Sequence, residues 1–454
     1  MAEPRRIAIV GAGPAGLFAA QALTSQTRVE VKVDIFDRLP TPFGLLRYGV
    51  APDHVSIKAV ATALARVFDD PNISFLGMVE FGRDVTRDEL VSAYDAVIYA
   101  AGASEDRRMN IPGESLSGSR SAREFVAWYS GHPDARPQKL SRVRSVVTVG
   151  VGNVAIDVAR MLLKPIDDLA HTDMPEPVLA ELAACRVERV YVIGRRGPEH
   201  ASFTTTELRE LLHTPGIAVT VDGCDLDAID EAVLDRRTRA NVEALREAAG
   251  RVVDEPRAWL HFLFWRRPIA LEGENAVSAV VLERTVGDGA GRVAGTGDQT
   301  RIEAQLVLRA IGYRGTPLLG VPFDEATGRI PNREGRVCED DGTIRPGEYV
   351  VGWIKRGPIG VIGTNKSDAV ETVQHLLDDL EAAPRRPLAD LHSVMEARGF
   401  TPTSLTDWQN IDAAEIDRGH SRGKARTKIE AWHELLDLIR SGRPGGHPSL
   451  ADKV

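Results

Sequence analysis

The sequence predicts an α/β fold that contains two Rossmann-like domains. The first observation behind this prediction is the order of strand, glycine-rich turn and helix in residues 5–24. The second is the recurrence of the same order in residues 145–160. In both places the glycines directly follow an apolar run, an arrangement that aims a helix N-terminus at a pyrophosphate. We therefore expect the chain to bind two dinucleotides.

Two similar apolar runs, residues 95–103 and 304–315, lie on either side of the second unit. We interpret them as crossings of the chain into and out of an inserted domain. A chain of 454 residues is also longer than one typical core requires. The sequence therefore predicts a discontinuous domain of residues 1–104 and 315–454, with residues 105–314 forming the inserted domain.

The first unit carries the G-x-G-x-x-G spacing in Gly11, Gly13 and Gly16. Gly11 permits the tight turn, Gly13 removes a Cβ that would block a phosphate, and Gly16 lets helix and strand pack closely. Asp37 ends the next strand about 20 residues later, where a carboxylate can accept the hydroxyl protons of an adenosine ribose. Because a glycine pattern alone is a weak signal, it is the acid at this place that favours a dinucleotide site.

The second unit carries Gly150, Gly152 and Ala155 in G-x-G-x-x-A spacing, and its next strand ends differently. Arg195 and Arg196 stand where the first unit has an acid. A carboxylate would repel a ribose 2′-phosphate, whereas a guanidinium pairs with it. The charges therefore assign NADPH to the second site, and the first site suits a tightly held FAD.

Composition excludes several other classes of protein. The chain has 43% hydrophobic and 27% charged residues and a net charge of −9, which argues against general nucleic-acid binding. Cys185, Cys224 and Cys338 form no C-x-x-C pair, so we expect no dithiol, zinc ribbon or iron–sulfur cluster and no other metal site. No apolar stretch has the length of a membrane span, and the N-terminus leaves no room for a signal peptide before the first strand. These features favour a cytoplasmic protein.

Two further stretches are expected beside the first cofactor. Residues 39–54 form a Pro- and Gly-rich loop directly after the ribose-binding acid, so the loop is predicted to run over the cofactor. Gly360, Val361 and Ile362 precede a helix predicted over residues 367–380. Their backbone N–H groups are placed to face the pyrimidine end of a flavin, where negative charge accumulates on reduction.

Several longer blocks are much more specific than a glycine pattern. They are GAGPAG (11–16), LPTPFGLLRYGVAPDH (39–54), NIPGE (110–114), GVGNVAIDVAR (150–160), GRRGP (194–198), FTTTELREL (203–211) and GWIKRGPIGVIGTNK (352–366). With them the chain resembles the adrenodoxin reductase-type NADPH:ferredoxin reductases, most closely their bacterial, actinobacterial branch. The resemblance covers nearly the whole chain in matching order. It implies a flavoprotein of the glutathione-reductase-like superfamily, with an NADPH domain inserted into an FAD domain.

The resemblance also implies contact residues for each cofactor. For FAD, together with the glycines of the first turn, they are Ala15, Asp37, Leu45, Phe81, Trp353, Gly360, Val361 and Ile362. For NADP they are Arg107, Val151, Gly152, Asn153, Val154, Arg195, Arg196, Glu207 and Gly360. Asp37 stands where close relatives often carry Glu. Gly352 and Trp353 stand where many superfamily members have Gly-Asp, a departure that matches the adrenodoxin reductase branch and counts against a disulfide reductase or monooxygenase.

The activity implied is hydride transfer from NADPH to FAD, followed by single-electron transfer to a ferredoxin. His54 and Glu210 match family positions near the flavin and the nicotinamide, where they could move or position a proton. A structural role is the alternative for both. His54 could then make a hydrogen bond that closes a Pro-rich loop, and Glu210 could be a solvated helical carboxylate.

A basic stretch of a predicted helix offers a docking surface for an acidic ferredoxin. It contains Arg236, Arg237, Arg239 and Arg246, although such charges often only solvate a helix face. Two other functions stay open at this point. One is an NADPH diaphorase or quinone reductase with a small-molecule acceptor. The other is an electron-transfer subunit like the small subunit of glutamate synthase, which the lack of a Cys-rich N-terminal extension disfavours.

Overall fold

The computed structural model describes residues 3–288 and 292–442, so residues 443–454 of the expected first domain lie outside the described part. In chain order the strands are β1 (Arg5–Val10), β2 (Val31–Phe36), β3 (Ile73–Leu76), β4 (Ala96–Tyr99), β5 (Glu105–Asp106), β6 (Ser119–Ser121), β7 (Ser145–Val149), β8 (Arg189–Ile193), β9 (Ile217–Asp222), β10 (Ala258–Leu263), β11 (Arg266–Glu272), β12 (Ala279–Gly287), β13 (Val293–Glu303), β14 (Leu306–Arg309), β15 (Tyr313–Arg314), β16 (Asn332–Arg333), β17 (Arg336–Cys338) and β18 (Ile344–Val350). The helices are α1 (Pro14–Thr24), α2 (Leu45–Tyr48), α3 (Val55–Ala65), α4 (Arg87–Ala93), α5 (Ala122–Tyr129), α6 (Asn153–Leu163), α7 (Ile166–Ala170), α8 (Glu176–Ala183), α9 (Thr205–Leu212), α10 (Arg236–Ala249), α11 (Trp353–Arg356), α12 (Thr364–Ala382), α13 (Leu391–Ala397), α14 (Leu405–His420) and α15 (Trp432–Ser441).

The first sheet combines strands from both ends of the chain. Its order is β16-β17-β18-β4-β1-β2-β3, and the five strands from β18 to β3 run parallel. The register aligns Val10 with Phe36 on one side and with Tyr99 on the other, so these strands end at one edge. Helices α1 and α12 pack side by side on one face and share a buried apolar core. This edge is where the first glycine-rich turn leaves the sheet.

The second sheet is built entirely from residues between those two halves. Its order is β6-β14-β7-β8-β10-β9, and all its strands run parallel. Helices α5, α6, α9 and α10 contribute to one large core on this sheet. The predicted α/β class with two Rossmann-like units is confirmed.

A three-stranded antiparallel sheet, β11-β12-β13, covers the other face of the second sheet. Leu271 and Val280 of this small sheet pack with Val147 and Val149 of β7. The chain crosses between the two large sheets at β5 and β15, which pair with each other in antiparallel fashion. Within the described ranges we find no helix that combines the length and the hydrophobicity needed to cross a bilayer.

Candidate active site

The two glycine-rich turns have the same local geometry. Gly11 has φ +116°, and a Cβ at this position would lie 2.4 Å from the carbonyl oxygen of Ala100. Gly150 has φ +129°, and its Cβ would lie 2.3 Å from the carbonyl oxygen of Ala310. Both distances are far inside van der Waals contact, so only glycine fits at either turn. Each turn therefore passes directly against the end of the neighbouring strand.

The first turn leaves open space on the side where a pyrophosphate is expected. A Cβ on Gly13 would meet no heavy atom within 4 Å except in its own chain neighbours, whereas a Cβ on Gly16 would lie 2.1 Å from the Gly11 carbonyl oxygen. The 39–54 loop folds back onto this turn, because a Cβ on Gly44 would lie 3.1 Å from the Gly13 Cα. The loop thus closes around the turn while the space at Gly13 stays free.

Asp37 lies beside the same turn. Its two carboxylate oxygens accept one backbone hydrogen bond each, from the N–H of Ala12 and the N–H of Leu39, both at 2.9 Å. Burial raises the pKa of this carboxyl group. An ionised carboxylate has further acceptor sites on both oxygens, so Asp37 can still accept from ribose hydroxyl groups.

Three residues expected to contact FAD lie in short segments near the edge of the first sheet where the glycine-rich turn begins. Leu45 begins α2, and the ring of Phe81 packs edge-on against Tyr99 at a centroid distance of 5.7 Å. Trp353 begins α11, and its ring stacks on Tyr313 at 5.5 Å and 26°. Because Tyr313 lies on the crossing strand β15, this stack joins the C-terminal half of the first sheet to the crossing.

The segment of residues 360–362 immediately precedes α12, as expected, although the helix begins earlier than predicted. Gly360 has φ +90° and is exposed. The N–H of Val361 already donates to the Thr364 hydroxyl at 3.2 Å. Ile362 is partly buried and packs against the core shared by α1 and α12.

In the second unit, residues 151–154 form the turn and the start of α6. The side-chain oxygen of Asn153 accepts from the N–H of Thr204 at 2.7 Å, and the carbonyl of Val151 accepts from the N–H of Ser202 at 2.8 Å. Gly152 is the N-cap of α6, and Val154 packs against the core of the inserted domain. These bonds connect the turn to the segment before α9.

Arg195 and Arg196 follow the end of β8, at the carboxyl edge of the second sheet. Arg195 is exposed and Arg196 partly buried, and neither forms an ion pair with a residue in the described ranges. The exposed Arg107 likewise has no acidic partner among the described residues. Guanidinium groups without carboxylate partners are well suited to a phosphate.

His54 lies at the contact between the 39–54 loop and the inserted domain, where it is 7% exposed. Its Nε2 atom lies 2.7 Å from a Glu207 oxygen and 3.2 Å from an Asp157 oxygen, and its Nδ1 lies 3.9 Å from Glu210. Burial opposes the charge, but the bonds to Asp157 and Glu207 outweigh it and raise the pKa of His54 to about 9. Nε2 therefore carries a proton at neutral pH and donates it to a carboxylate.

Arg160 of α6 lies at the centre of this cluster and was not expected from the sequence. It is 1% exposed and contacts carboxylate groups from both domains. Its partners are Asp53 at 3.0 Å, Asp157 at 3.1 Å, Glu207 at 2.9 Å and Glu210 at 3.0 Å. Lys164 adds a second cation through an ion pair of 2.8 Å with Asp53. We call these six residues together with His54, seven in all, the interdomain cluster.

Three members of the cluster have the atom types of a metal site, since ligand atoms of His54, Asp157 and Glu207 lie within 4.8 Å of one another. The guanidinium of Arg160 contacts all three side chains. A permanent positive charge at this distance opposes a metal cation. The arrangement is therefore explained as an ion-pair cluster.

The arginines predicted to dock a ferredoxin are not equivalent. Arg239 donates to the carbonyls of Glu231 and Leu234, and Arg246 forms ion pairs with Asp227 at 2.8 Å and Glu231 at 2.9 Å. These two side chains therefore hold the segment that precedes α10. By contrast, the exposed Arg236 and Arg237 form no ion pair within the described part of the chain. Of the four arginines, Arg246 is therefore the one whose charge is paired with acids among the described residues.

Comparison with known proteins identifies the family. The family described as pyridine nucleotide-disulphide oxidoreductase matches residues 5–352. The chain belongs to this family. The chain is 43% identical to NADPH-ferredoxin reductase FprA of Mycobacterium tuberculosis, over 96% of this chain and 99% of that protein. It is 40% identical to the mitochondrial NADPH:adrenodoxin oxidoreductase of Bos taurus, over 96% of this chain and 92% of that protein.

A solved structure shares the architecture of nearly the whole chain. Mycobacterium tuberculosis FprA in complex with NADPH matches with a TM-score of 0.90 and 42% identity, over 96% of this chain and 100% of that chain. The predicted resemblance to adrenodoxin reductase-type enzymes is confirmed. The residues present also fit the two dinucleotides, since Gly13 leaves open space, Asp37 lies beside it, and Arg195 has no acidic partner in the described ranges.

Proposed function

We propose that the protein is an FAD-dependent oxidoreductase that takes hydride from NADPH and passes single electrons to a ferredoxin. The observation that carries this proposal is the contrast between two strand ends. An acid lies beside the first turn, and guanidinium groups without an acidic partner among the described residues lie beside the second. The names of the relatives, NADPH-ferredoxin reductase and NADPH:adrenodoxin oxidoreductase, support the same reaction. The structure of FprA with NADPH supports the choice of nicotinamide.

We assign FAD to the domain of residues 1–104 and 315–454. The open side of Gly13 would admit its pyrophosphate, and Asp37 would bind the ribose of its adenosine. The remaining contacts would come from Ala15, Leu45, Phe81, Trp353 and residues 360–362. When bound, FAD supplies the ability to accept two electrons as hydride and to release them one at a time.

We assign NADPH to the inserted domain of residues 105–314. The start of α6, residues 151–154, would hold its pyrophosphate, while Arg195 and Arg196 would bind the 2′-phosphate. Arg107 would add a further positive charge, and Gly360 would contact the nicotinamide half from the other domain. These side chains need only bind and orient, because hydride transfer requires no nucleophile from the protein.

The interdomain cluster would act where the two cofactors meet. His54 would keep a proton on Nε2 between two carboxylates, and Glu207 would contact NADP(H) from the same side of α9 as Glu210. Glu210 is the more exposed of the two, with 45% of its side chain accessible, so it is better placed to exchange a proton with water. We therefore propose His54 and Glu210 as the residues that position or move protons.

The partner in this proposal is a ferredoxin-type one-electron carrier. We further propose that it is acidic and docks against Arg236 and Arg237, which are free of the ion pairs that engage Arg246. A cytoplasmic location also stays a prediction. A quinone or another small molecule is the second candidate for the electron acceptor. Turnover measurements distinguish it from a ferredoxin.

Two measurements test the proposed function. The purified protein should be yellow with a flavin spectrum, and anaerobic NADPH should bleach it much faster than NADH does. Turnover with NADPH should then be compared for a [2Fe–2S] ferredoxin, a [4Fe–4S] ferredoxin and a benzoquinone, with cytochrome c reporting ferredoxin reduction. Colourless protein, or equal bleaching by both nicotinamides, would contradict the cofactor assignment. Turnover with the quinone alone would contradict the ferredoxin partner.

A further inference from the structure

We propose that Arg160 is a positioning residue for hydride transfer, which sets the geometry and the charge of the groups around the nicotinamide. This inference rests on the proposed function. It assigns a role to a residue that the sequence did not single out and that is deeply buried between the two domains.

The first argument is the match between donors and acceptors. The two terminal nitrogens of a guanidinium carry four N–H bonds, and here four carboxylates receive them. One terminal nitrogen donates to Glu207 and Glu210, and the other donates to Asp53 and Asp157. His54 Nε2 also lies within hydrogen-bond contact of the nitrogen that donates to Asp53 and Asp157. A lysine has only three donors and cannot reproduce the planar fork.

The second argument is the origin of those carboxylates. Asp53 belongs to the 39–54 loop, which closes around the first glycine turn, whereas Asp157 lies on α6 itself. Glu207 and Glu210 lie three residues apart on α9 and therefore face the same side of that helix. Arg160 is thus bonded to the FAD domain and to two helices of the NADPH domain at once. Removing Arg160 would leave the 39–54 loop, Glu207 and Glu210 without the hydrogen-bond donor that they share.

The third argument is electrostatic. Without Arg160, the cations that still form ion pairs with these four carboxylates in the described ranges would be His54 and Lys164. The positive charge of Arg160 also repels the proton on His54, so its removal should raise the pKa of His54 further. The carboxylates of Glu207 and Glu210 should move apart, because their common donor is gone. Both effects would disturb His54, Glu207 and Glu210 around the nicotinamide carbon that would give up the hydride.

The test compares Arg160→Gln and Arg160→Lys with Arg336→Lys, a control arginine on β17 that pairs with Asp379 away from both sites. Flavin reduction by saturating NADPH is followed in single turnovers, together with flavin content and the Kd of NADP⁺. We expect Arg160→Gln to slow reduction about 10- to 100-fold, Arg160→Lys to fall between it and the wild type, and the control to be unchanged. Should the Gln variant fail to retain flavin, the Lys variant carries the test.

A second readout does not depend on turnover. NMR of ¹⁵N-histidine-labelled protein, with His54 assigned by its loss in His54→Gln, should show a higher pKa of His54 in Arg160→Gln than in wild type. Wild-type rates together with an unchanged His54 titration would overturn the proposal. So would a raised Kd of NADP⁺ with an unchanged limiting rate, since that outcome indicates binding alone. Wild-type protein that NADPH does not reduce would instead refute the proposed function.

Discussion

The guanidinium of Arg47 and the carboxylate of Glu415, 368 residues apart, are joined by two parallel hydrogen bonds of 3.0 and 2.5 Å. Glu415 is fully buried, and it also accepts from the backbone N–H of Ile429 at 2.9 Å. The Arg47 guanidinium lies 5.0 Å from the ring centroid of Trp408. Helix α14 thereby holds the 39–54 loop that closes around the first glycine turn.

Glu415→Gln should destabilise the protein and loosen its hold on FAD. One uncharged amide would face the buried Arg47 and the partly buried Arg426, and breaking a buried ion pair on one side costs about 3–5 kcal/mol. Thermal unfolding and flavin release on dilution measure the two effects. Glu396→Gln, an exposed glutamate of α13, is the matched control. Equal unfolding temperatures for both variants would refute this role.

Neutralising Arg195 and Arg196 together should convert an NADPH-specific enzyme into one that barely distinguishes NADPH from NADH. Each charge-assisted bond to a phosphate is worth about 1.5–3 kcal/mol, so the KM for NADPH should rise at least about tenfold. The KM for NADH should change little, because NADH has no 2′-phosphate. Steady-state kinetics with ferricyanide as acceptor measure both constants. A parallel rise for both nicotinamides would place the arginines elsewhere in the mechanism.

His54→Ala should slow flavin reduction by NADPH in stopped-flow measurements, with His392→Ala on the exposed face of α13 as the control. It should also change the pH dependence of stability. Since the pKa of His54 rises from 6.5 to about 9 on folding, its stabilising contribution is complete below pH 6.5 and is lost as the pH rises through about 9. The contribution is at most about 3 kcal/mol. An unchanged reduction rate would remove His54 from hydride transfer.

Charge reversal of Arg236 and Arg237 should raise the KM for an acidic ferredoxin and leave ferricyanide reduction unchanged, because only the protein partner needs electrostatic steering. The effect should weaken with added salt. Arg142→Glu is a suitable control, since this exposed arginine precedes β7 at the opposite edge of the sheet and forms no ion pair within the described ranges. An equal effect of the control would indicate net charge alone.

The sequence predicted the parts of the site that depend only on local backbone geometry. The turn at Gly11, the acid at Asp37 and the repeat at Gly150 could be read from the sequence because each follows an apolar strand at a fixed spacing. Arg160 could not, since its four carboxylates come from three separate segments and only the packing of α6 between them brings them together. Similarly, the sequence shows that Arg246 is basic but not that it forms ion pairs with two acids.

The parallel pairing of β18 with β4 has a consequence for biosynthesis. Val350 of β18 lies beside Tyr99 of β4. The strand β18 can therefore join the first sheet only after the entire inserted domain has been translated. The inserted sheet, by contrast, has all of its strands once residue 309 is made. We therefore expect the inserted sheet to fold on the ribosome ahead of the first sheet, and a cofactor held by the first sheet to bind only when the chain is nearly complete.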